Sequence, residues 1–482
     1  MSFYDEIEIE DMIFDADQGI LTYPCPCGDK FQIALDDLKD GEEVAVCPSC
    51  SLMIKVIFDP EDLEQFQDKM ETLANWLVPD VPKPLDVKQL TFGRPGGNKG
   101  FTFSTIALPI KTNEVLIEIK AASLNPWDLK VWKQPQTWLK EEHGLGQDFS
   151  GIISDLGQGA ASKGWKVGDR VCGLKLHYGS QGTIASHIVI DLNKTKYSMT
   201  HIPDNMTFEE AAAFPLVFGA AWEGLAHCPM QAIRDQTLNV CILGGGTAVG
   251  QMAIQLAKNH LRAKHVVCTT AGGESEEIAR DLGADHVIDY KAAGNVGDAI
   301  EFVVGNQELD ETNDQHRVRF ANSYSTNGER FDIILDCAGG AGAGDVLAKA
   351  KSLLKPYNEG SAFVTLVGDY STPKVNASAV HGSNGPSPLI QKSISTYDSA
   401  SYWYGGWTHK MAFQMGSSGF RYINANVKGS GDWINQAHAG FASNSIRVRI
   451  DTVYPWTKYD DAFEQLMSRK VKGKIVLRVQ DF

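Results

Sequence analysis

At 482 residues the chain is too long for one compact core, and two to four domains are expected. Its composition, 43% hydrophobic and 22% charged, is that of a globular protein, and the absence of any run of about 18 apolar residues excludes a helical membrane span. The net charge of −16 is concentrated at the front, where residues 1–70 hold 18 Asp/Glu against 4 Lys and no Arg; such a surface repels phosphate backbones, so direct nucleic-acid binding is not expected and a basic protein partner is favoured.

The acidic start, Met1-Ser2-Phe3-Tyr4-Asp5-Glu6, lacks the apolar segment of a secretory signal, so a cytoplasmic address, shared with the nucleus, is the expectation. In that compartment nine cysteines argue against a disulfide framework. In chain order, residues 1–66 form a first block. Ile7, Ile9 and Met12 alternate with acids in a strand-like way, and residues 54–58 form another short strand. Residues 61–77 carry Leu63, Phe66, Met70, Leu73 and Leu77 at helical spacing, and Val78-Pro-Asp-Val-Pro-Lys-Pro84 follows as an extended linker. Residues 67–87 are therefore the best boundary in the chain.

Beyond it the pattern changes. Residues 88–219 are rich in short strands and glycine turns, among them residues 114–119 and 168–171. Residues 220–368 alternate strand and helix, which implies a parallel sheet. Residues 369–482 begin with a Ser/Gly-rich insertion at 371–405 and end with a strand–helix–strand run from 446 to 479. A hydrophilic stretch at 306–330 also reads as a loop or insertion.

The chemistry of the first block lies in its thiols. Cys25-Pro-Cys27 and Cys47-Pro-Ser-Cys50 are two close pairs separated by 19 residues, the arrangement of a tetrahedral four-thiolate site. A block this small has little core of its own, so the metal supplies much of its folding free energy. Four thiolates accept zinc or iron, and only iron cycles at a biological potential.

The text around these cysteines resembles the diphthamide-biosynthesis CSL zinc-finger family. The matching segments are Tyr4-Asp-Glu-Ile-Glu-Ile-Glu-Asp-Met12, Tyr23-Pro-Cys-Pro-Cys-Gly-Asp29, Gly41-Glu-Glu-Val44 and Cys47-Pro-Ser-Cys-Ser-Leu52. The resemblance covers almost all of residues 1–66. It implies a small β-rich, zinc-ribbon-like module that binds zinc or iron through Cys25, Cys27, Cys47 and Cys50. It further implies electron donation to the iron–sulfur enzyme that begins diphthamide formation on elongation factor 2, and work with tRNA-modification proteins on wobble uridine.

In the second part, an apolar strand at 239–243 runs into Gly244-Gly245-Gly246-Thr247-Ala248-Val249-Gly250 and then a helix at 251–259. A glycine-rich turn between strand and helix lets a pyrophosphate approach backbone amides at the positive helix end. The next strand, 264–270, is followed by a helix at 274–282 and by Gly283-Ala-Asp-His-Val-Ile-Asp-Tyr290, the βαβ setting that a dinucleotide requires. An NAD site carries Asp or Glu at the end of that second strand, whereas here Thr269 and Thr270 stand there. No carboxylate repels a 2′-phosphate and two hydroxyls can bond one, so NADPH is favoured over NADH.

Residues 88–482 resemble the quinone-oxidoreductase-like branch of the medium-chain dehydrogenase/reductase superfamily. The segments that carry the likeness are Ala121-Ala-Ser-Leu-Asn-Pro-Trp-Asp-Leu-Lys130, Gly146-Gln-Asp-Phe-Ser-Gly151, Gly164-Trp-Lys-Val-Gly-Asp-Arg-Val171, Phe331-Asp-Ile-Ile-Leu-Asp-Cys-Ala-Gly339 and Lys472-Gly-Lys-Ile-Val-Leu477. The resemblance implies a GroES-like β domain at 88–219, a Rossmann domain at 220–368 and a return to the GroES-like domain within 369–482. Thr247-Ala248 depart from the branch's usual glycine pair and look more like fungal membrane-trafficking relatives. Where zinc alcohol dehydrogenases place cysteine and a His-Glu pair, this chain has Asn125/Trp127/Asp128 and Gln147-Asp148, so no catalytic zinc is expected. Cys172, Cys228, Cys241, Cys268 and Cys337 sit in apolar runs and read as core.

By the same resemblance, Asn125 lies near the nicotinamide, Tyr290 near the adenosine phosphate, and Val367-Gly368 along the nicotinamide ribose. The expected chemistry is hydride transfer to a quinone or an activated alkene or carbonyl, with a small-molecule substrate and a homodimer allowed. Three readings follow: a bifunctional protein, an active metal module with a non-catalytic reductase fold, and a fusion whose halves are not coupled.

Overall fold

A computed structural model describes residues 3–15, 19–39, 41–59, 62–63, 84–93, 100–133, 142–176, 181–194, 197–305, 324–367, 420–429 and 431–479. The chain divides into two compact units, Met1–Leu85 with Ala107–Pro109, and Asp86–Ile106 with Ile110–Phe482. The helix expected at 61–77 falls outside the described residues except at 62–63. So do most of the linker, the insertion at 371–405 and residues 306–323 of the other hydrophilic stretch.

The first unit is a six-stranded sheet. Its strands are β1 (Glu6–Glu8), β2 (Ile13–Asp15), β3 (Ile20–Pro24), β4 (Lys30–Ala34), β5 (Val44–Val46) and β6 (Met53–Ile57), in the order β1-β6-β5-β4-β3-β2. Alternation decides the faces: in β4 Phe31 and Ile33 are buried between exposed Lys30 and Gln32. They pack with Ile7, Ile9, Leu21, Ala45, Ile54 and Val56, and with the two buried thiols Cys25 and Cys47. β1 is parallel to β6, while the other neighbours are antiparallel.

The second unit opens with β7 (Leu85–Phe92), β8 (Gly100–Ile106), the eleven-residue β9 (Glu114–Leu124), β10 (His143–Gly144), β11 (Asp148–Leu156), β12 (Arg170–Lys175), β13 (His187–Asp191) and β14 (Tyr197–His201). β9 is the axis of this β half, pairing β11, β13 and, from the far end of the chain, β22 (Lys474–Arg478). Two helices, Phe208–Ala213 and Pro215–Leu225, lead out of it. Thr207 caps the first with a reciprocal Glu210 bond, and a proline opens the second.

A parallel sheet follows, with β15 (Asn239–Leu243), β16 (His265–Thr270), β17 (His286–Asp289), β18 (Ile333–Asp336), β19 (Ala362–Thr365) and β20 (Arg421–Asn424) in the order β17-β16-β15-β18-β19-β20. The chain winds outward from β15 to one edge and then from β18 to the other, so the crevice between their carboxyl ends is the topological switch point where a dinucleotide binds in such folds. The helix after β15 is α-helical at Ala248–Gln255 and passes into one π turn at Leu256–His260. The five cysteines at 172, 228, 241, 268 and 337 are all buried. The chain returns to the β half through β21 (Ile450–Pro455), which runs parallel to β22.

Candidate metal centre and cofactor crevice

β3 delivers Cys25 and β5 delivers Cys47, each at the start of a tight turn. The Cys25 N–H donates to the Asp29 carbonyl at 2.8 Å and Gly28 turns back on Cys25 with φ +93°. Cys47 accepts the Ser51 N–H at 2.9 Å and Ser51 takes φ +60°. The turns face each other, with Sγ···Sγ distances of 3.5 Å for Cys25–Cys50 and for Cys27–Cys47, and all four sulfurs lie within 4.8 Å of one another. A tetrahedron with metal–sulfur bonds of about 2.3 Å has sulfur–sulfur edges of about 3.8 Å, so this donor set fits one tetrahedral zinc or iron ion. The Ser49 hydroxyl donates to the Asp29 carboxylate, tying one turn to the other.

The thiols are not equivalent. Burial pushes Cys25 up to about 12. At Cys47 burial also raises the value, but the amides of Cys50 and Ser49 outweigh it and bring the thiol down to about 7. Cys47 is thus the readiest of the two to meet a cation as thiolate.

The cofactor turn is closed by its own side chains. The Thr247 hydroxyl donates to the Gly244 carbonyl at 2.8 Å and accepts the Gly250 N–H at 3.0 Å, capping the helix Ala248–Gln255. That helix has no acid in its first turn, so its positive end suits a pyrophosphate. A Cβ at Gly250 would lie 2.1 Å from the Gly244 carbonyl oxygen, and one at Gly245 would lie 2.8 Å from the Cys268 sulfur. Gly244 takes φ +85°. Ala248 and Val249 pack partly buried against the core.

Thr269 and Thr270 do not stand as free hydroxyls. Thr269 Oγ1 accepts the Gly244 N–H at 2.9 Å and Thr270 Oγ1 accepts the Gly272 N–H at 3.2 Å, and both residues are buried. Accepting an N–H leaves each hydroxyl its own proton to donate, so both residues shape the turn and remain candidate phosphate ligands, at a strand end that carries no carboxylate. Tyr290 follows β17, anchored by its N–H to the Thr270 carbonyl, with its side chain exposed. The Val367 N–H bonds Thr365 Oγ1 at 3.3 Å just past β19, and Gly368 lies outside the described residues.

Asn125, placed after β9, is 1% exposed and its amide is held at both ends. Its oxygen accepts from the Lys474 ammonium at 2.5 Å and its nitrogen donates to Asp148 Oδ2 at 2.9 Å. Lys474 also bonds Asp148 at 3.0 Å, and Asp148 accepts Ser123 at 2.8 Å and the Leu216 N–H at 2.8 Å. An ammonium ion therefore sits between Asn125 and Asp148, residues of the two motifs in which zinc alcohol dehydrogenases carry a cysteine and a His-Glu pair. Sequence reading missed Lys474. Its one signal is a lysine heading an otherwise apolar strand, Lys474-Ile-Val-Leu477. Lys175 was missed too; burial brings its ammonium down to about 8.

Comparison with known proteins matches residues 5–59 to the CSL zinc finger, residues 111–202 to the alcohol dehydrogenase GroES-like domain and residues 282–477 to the zinc-binding dehydrogenase family. Over 68 residues the chain is 97% identical to diphthamide biosynthesis protein 3 of Yarrowia lipolytica, covering 14% of this chain and 99% of that protein. The chain belongs to the CSL zinc-finger family. Its CSL zinc finger is fused to a reductase-type unit that is 26% identical over 411 residues to Protein AST1 of Saccharomyces cerevisiae, 83% of this chain and 90% of that one. The quinone oxidoreductase of Coxiella burnetii shares the fold, with TM-score 0.54 and 21% identity over 82% of this chain and all of that one. Medium-chain dehydrogenase/reductase architecture follows, with its GroES-like half and Rossmann-type sheet.

Proposed function

We propose that the protein is bifunctional: a one-metal, four-thiolate electron carrier for diphthamide biosynthesis and wobble-uridine modification, joined to an NADPH-dependent reductase of quinones or activated alkenes and carbonyls. The observation that supports the first half is the convergence of Cys25, Cys27, Cys47 and Cys50 within 4.8 Å in a segment so similar to diphthamide biosynthesis protein 3. The partners are then the diphthamide-forming iron–sulfur enzyme and tRNA-modification proteins, in the cytoplasm and the nucleus. Among the described residues no helix is long and apolar enough to cross a membrane.

For the second half, the switch-point crevice and the acid-free helix end support a dinucleotide, and the end of β16 favours NADPH because it carries no carboxylate. Bound nicotinamide supplies the hydride. The chain's part is to hold the pyrophosphate at Gly244–Gly250, to set the adenosine beside Tyr290 and the nicotinamide ribose beside Val367-Gly368, and to keep Asn125 oriented. A second reading, with the reductase fold acting only as an interaction domain, is favoured by one feature: Asn125 is buried with its amide already engaged by Lys474 and Asp148.

Anaerobic incubation of the iron-loaded chain with the diphthamide-forming enzyme, elongation factor 2 and a reductant tests the first half, with modified elongation factor read by mass. Titration with NADPH, followed by turnover with a simple quinone, separates the two readings of the second. Binding with turnover supports a reductase, and binding without turnover leaves the fold an interaction domain.

A further inference from the structure

The loop after β16 curls through Gly272 and Gly273, both at positive φ, into the helix Glu274–Asp281. A Cβ on Gly246 of the cofactor turn would lie 3.2 Å from the Ser275 Cβ, so the start of this helix forms the wall of the crevice on the adenosine side. At that start Glu274 holds two cations from the far end of the chain. Arg449 reaches one carboxylate oxygen at 2.9 Å and Lys472 the other. Arg449 and Lys472 are themselves neighbours, because the Lys474 N–H donates to the Arg449 carbonyl at 2.9 Å and brings the two segments side by side. All three charged side chains are 37–49% exposed and open to an incoming anion.

We infer that Arg449 and Lys472, gathered by Glu274, form the receptor for the 2′-phosphate of NADPH. The inference rests on the NADPH reading above and supplies the positive charge that β16 itself lacks. Two cations sharing one carboxylate leave a surplus positive charge, and a phosphate dianion competes for them better than a single carboxylate does, through charge-assisted bonds from a guanidinium fork and an ammonium. Of the other acids near this helix start, Glu276 is paired with Arg280 at 2.8 Å, Glu277 is exposed, and Asp289 keeps its charge against Gly272 while accepting the Lys291 N–H at 2.9 Å, so the 2′-phosphate belongs on the Arg449 and Lys472 side of the loop. A purely mechanical role, fastening the helix to the returning chain, is already served at its other end by Arg447 and Asp281.

That second pair provides the control. Dissociation constants for NADPH, NADH and adenosine 2′,5′-bisphosphate are measured by fluorescence on the full chain and on Arg449→Ala, Lys472→Ala, Glu274→Gln and Arg447→Ala. Arg449→Ala and Lys472→Ala are expected to weaken NADPH and the bisphosphate by about tenfold or more while leaving NADH within about twofold. Glu274→Gln, which removes the competing carboxylate, tightens NADPH, and Arg447→Ala changes nothing. A preference for NADPH that survives both cation removals, or an equal loss of NADPH and NADH, overturns the receptor alone. Equal binding of the two cofactors by the unmodified chain overturns the NADPH reading and the receptor with it.

Discussion

Lys474 and Asp148 form an ion pair at 3.0 Å with side chains 3% and 0% exposed, and Asn125 bonds both of them. A buried charge without its counter-ion is far costlier than no charge at all. Lys474→Met is therefore expected to lower the unfolding free energy of the reductase unit by about 3–5 kcal/mol. Adding Asp148→Asn restores a large part of it, because the stranded charge is gone, the amide oxygen still accepts the Leu216 N–H, and the Ser123 hydroxyl can turn to accept from the amide NH2. Denaturant unfolding of the two variants checks this; an equal loss in both would show that the pair contributes nothing as a pair.

Cys47→Ser removes the thiol that burial and the amides of Cys50 and Ser49 together leave nearest neutrality. The metal content should fall from one ion per chain to none, and the first unit should lose its sheet signature while the second keeps its thermal transition. Elemental analysis and circular dichroism read the two effects, and unchanged stoichiometry in the variant would sink the assignment of the site.

NADPH should bind more tightly than NADH to the unmodified chain. Thr270→Asp should invert that order: one carboxylate oxygen can replace the hydroxyl as acceptor for the Gly272 N–H, leaving the other to repel a 2′-phosphate or to bond a 2′-hydroxyl. Fluorescence titration with both cofactors decides, and an uninverted order means that the strand end does not govern the choice.

Histidines open two adjacent strands, His265 in β16 and His286 in β17. His265 Nδ1 lies 2.6 Å from the Tyr324 hydroxyl, and the His286 ring stacks on Tyr324 at 5.1 Å. Both are held below the ordinary histidine value of 6.5, chiefly by burial and then by nearby cations. With the folded-state value depressed, the unfolded chain takes up these protons first, so stability is present above the unfolded value and declines as the pH falls below 6.5. His286→Phe keeps the stack and removes one such group. Its thermal midpoint should fall less steeply between about pH 7.5 and about pH 5.5, and a slope equal to that of the parent would show that His286 does not titrate as described.

A hydride carries two electrons and a single four-thiolate iron takes one, so transfer between them needs an intermediary such as a flavin, and the sequence holds no second dinucleotide-binding turn. Iron-loaded, flavin-free protein mixed anaerobically with NADPH is expected to keep its ferric-thiolate absorbance. Bleaching at the rate of NADPH oxidation, independent of protein concentration, would establish the fusion as a self-contained electron chain.

The thiol site was legible because its information is local: two short turns, each carrying a cysteine pair, leave few ways to arrange four sulfurs. The crevice was legible for a similar reason, since strand, glycine turn and helix are contiguous. What escaped was long-range or hidden in orientation. Lys474 reaches Asn125 across 349 positions, and no spacing rule connects them. Thr269 and Thr270 were read as hydroxyls able to bond a phosphate, and alternation along a strand does not tell which side chain a neighbouring turn also takes as an acceptor. The helix expected at 251–259 divides into an α-helical part and a π turn, a change of winding that residue periodicity does not encode.

The parallel pairing of β1 with β6 has a consequence for synthesis. During synthesis β1 cannot find its neighbour until Ile57 has emerged, and by then both cysteine turns are already outside. All four thiols are therefore available before the sheet can close, and the ion can be captured first. At about 5–20 residues per second, the rest of the 482-residue chain occupies tens of seconds more. The metal-bearing unit can be finished and loaded while the reductase unit is still being made.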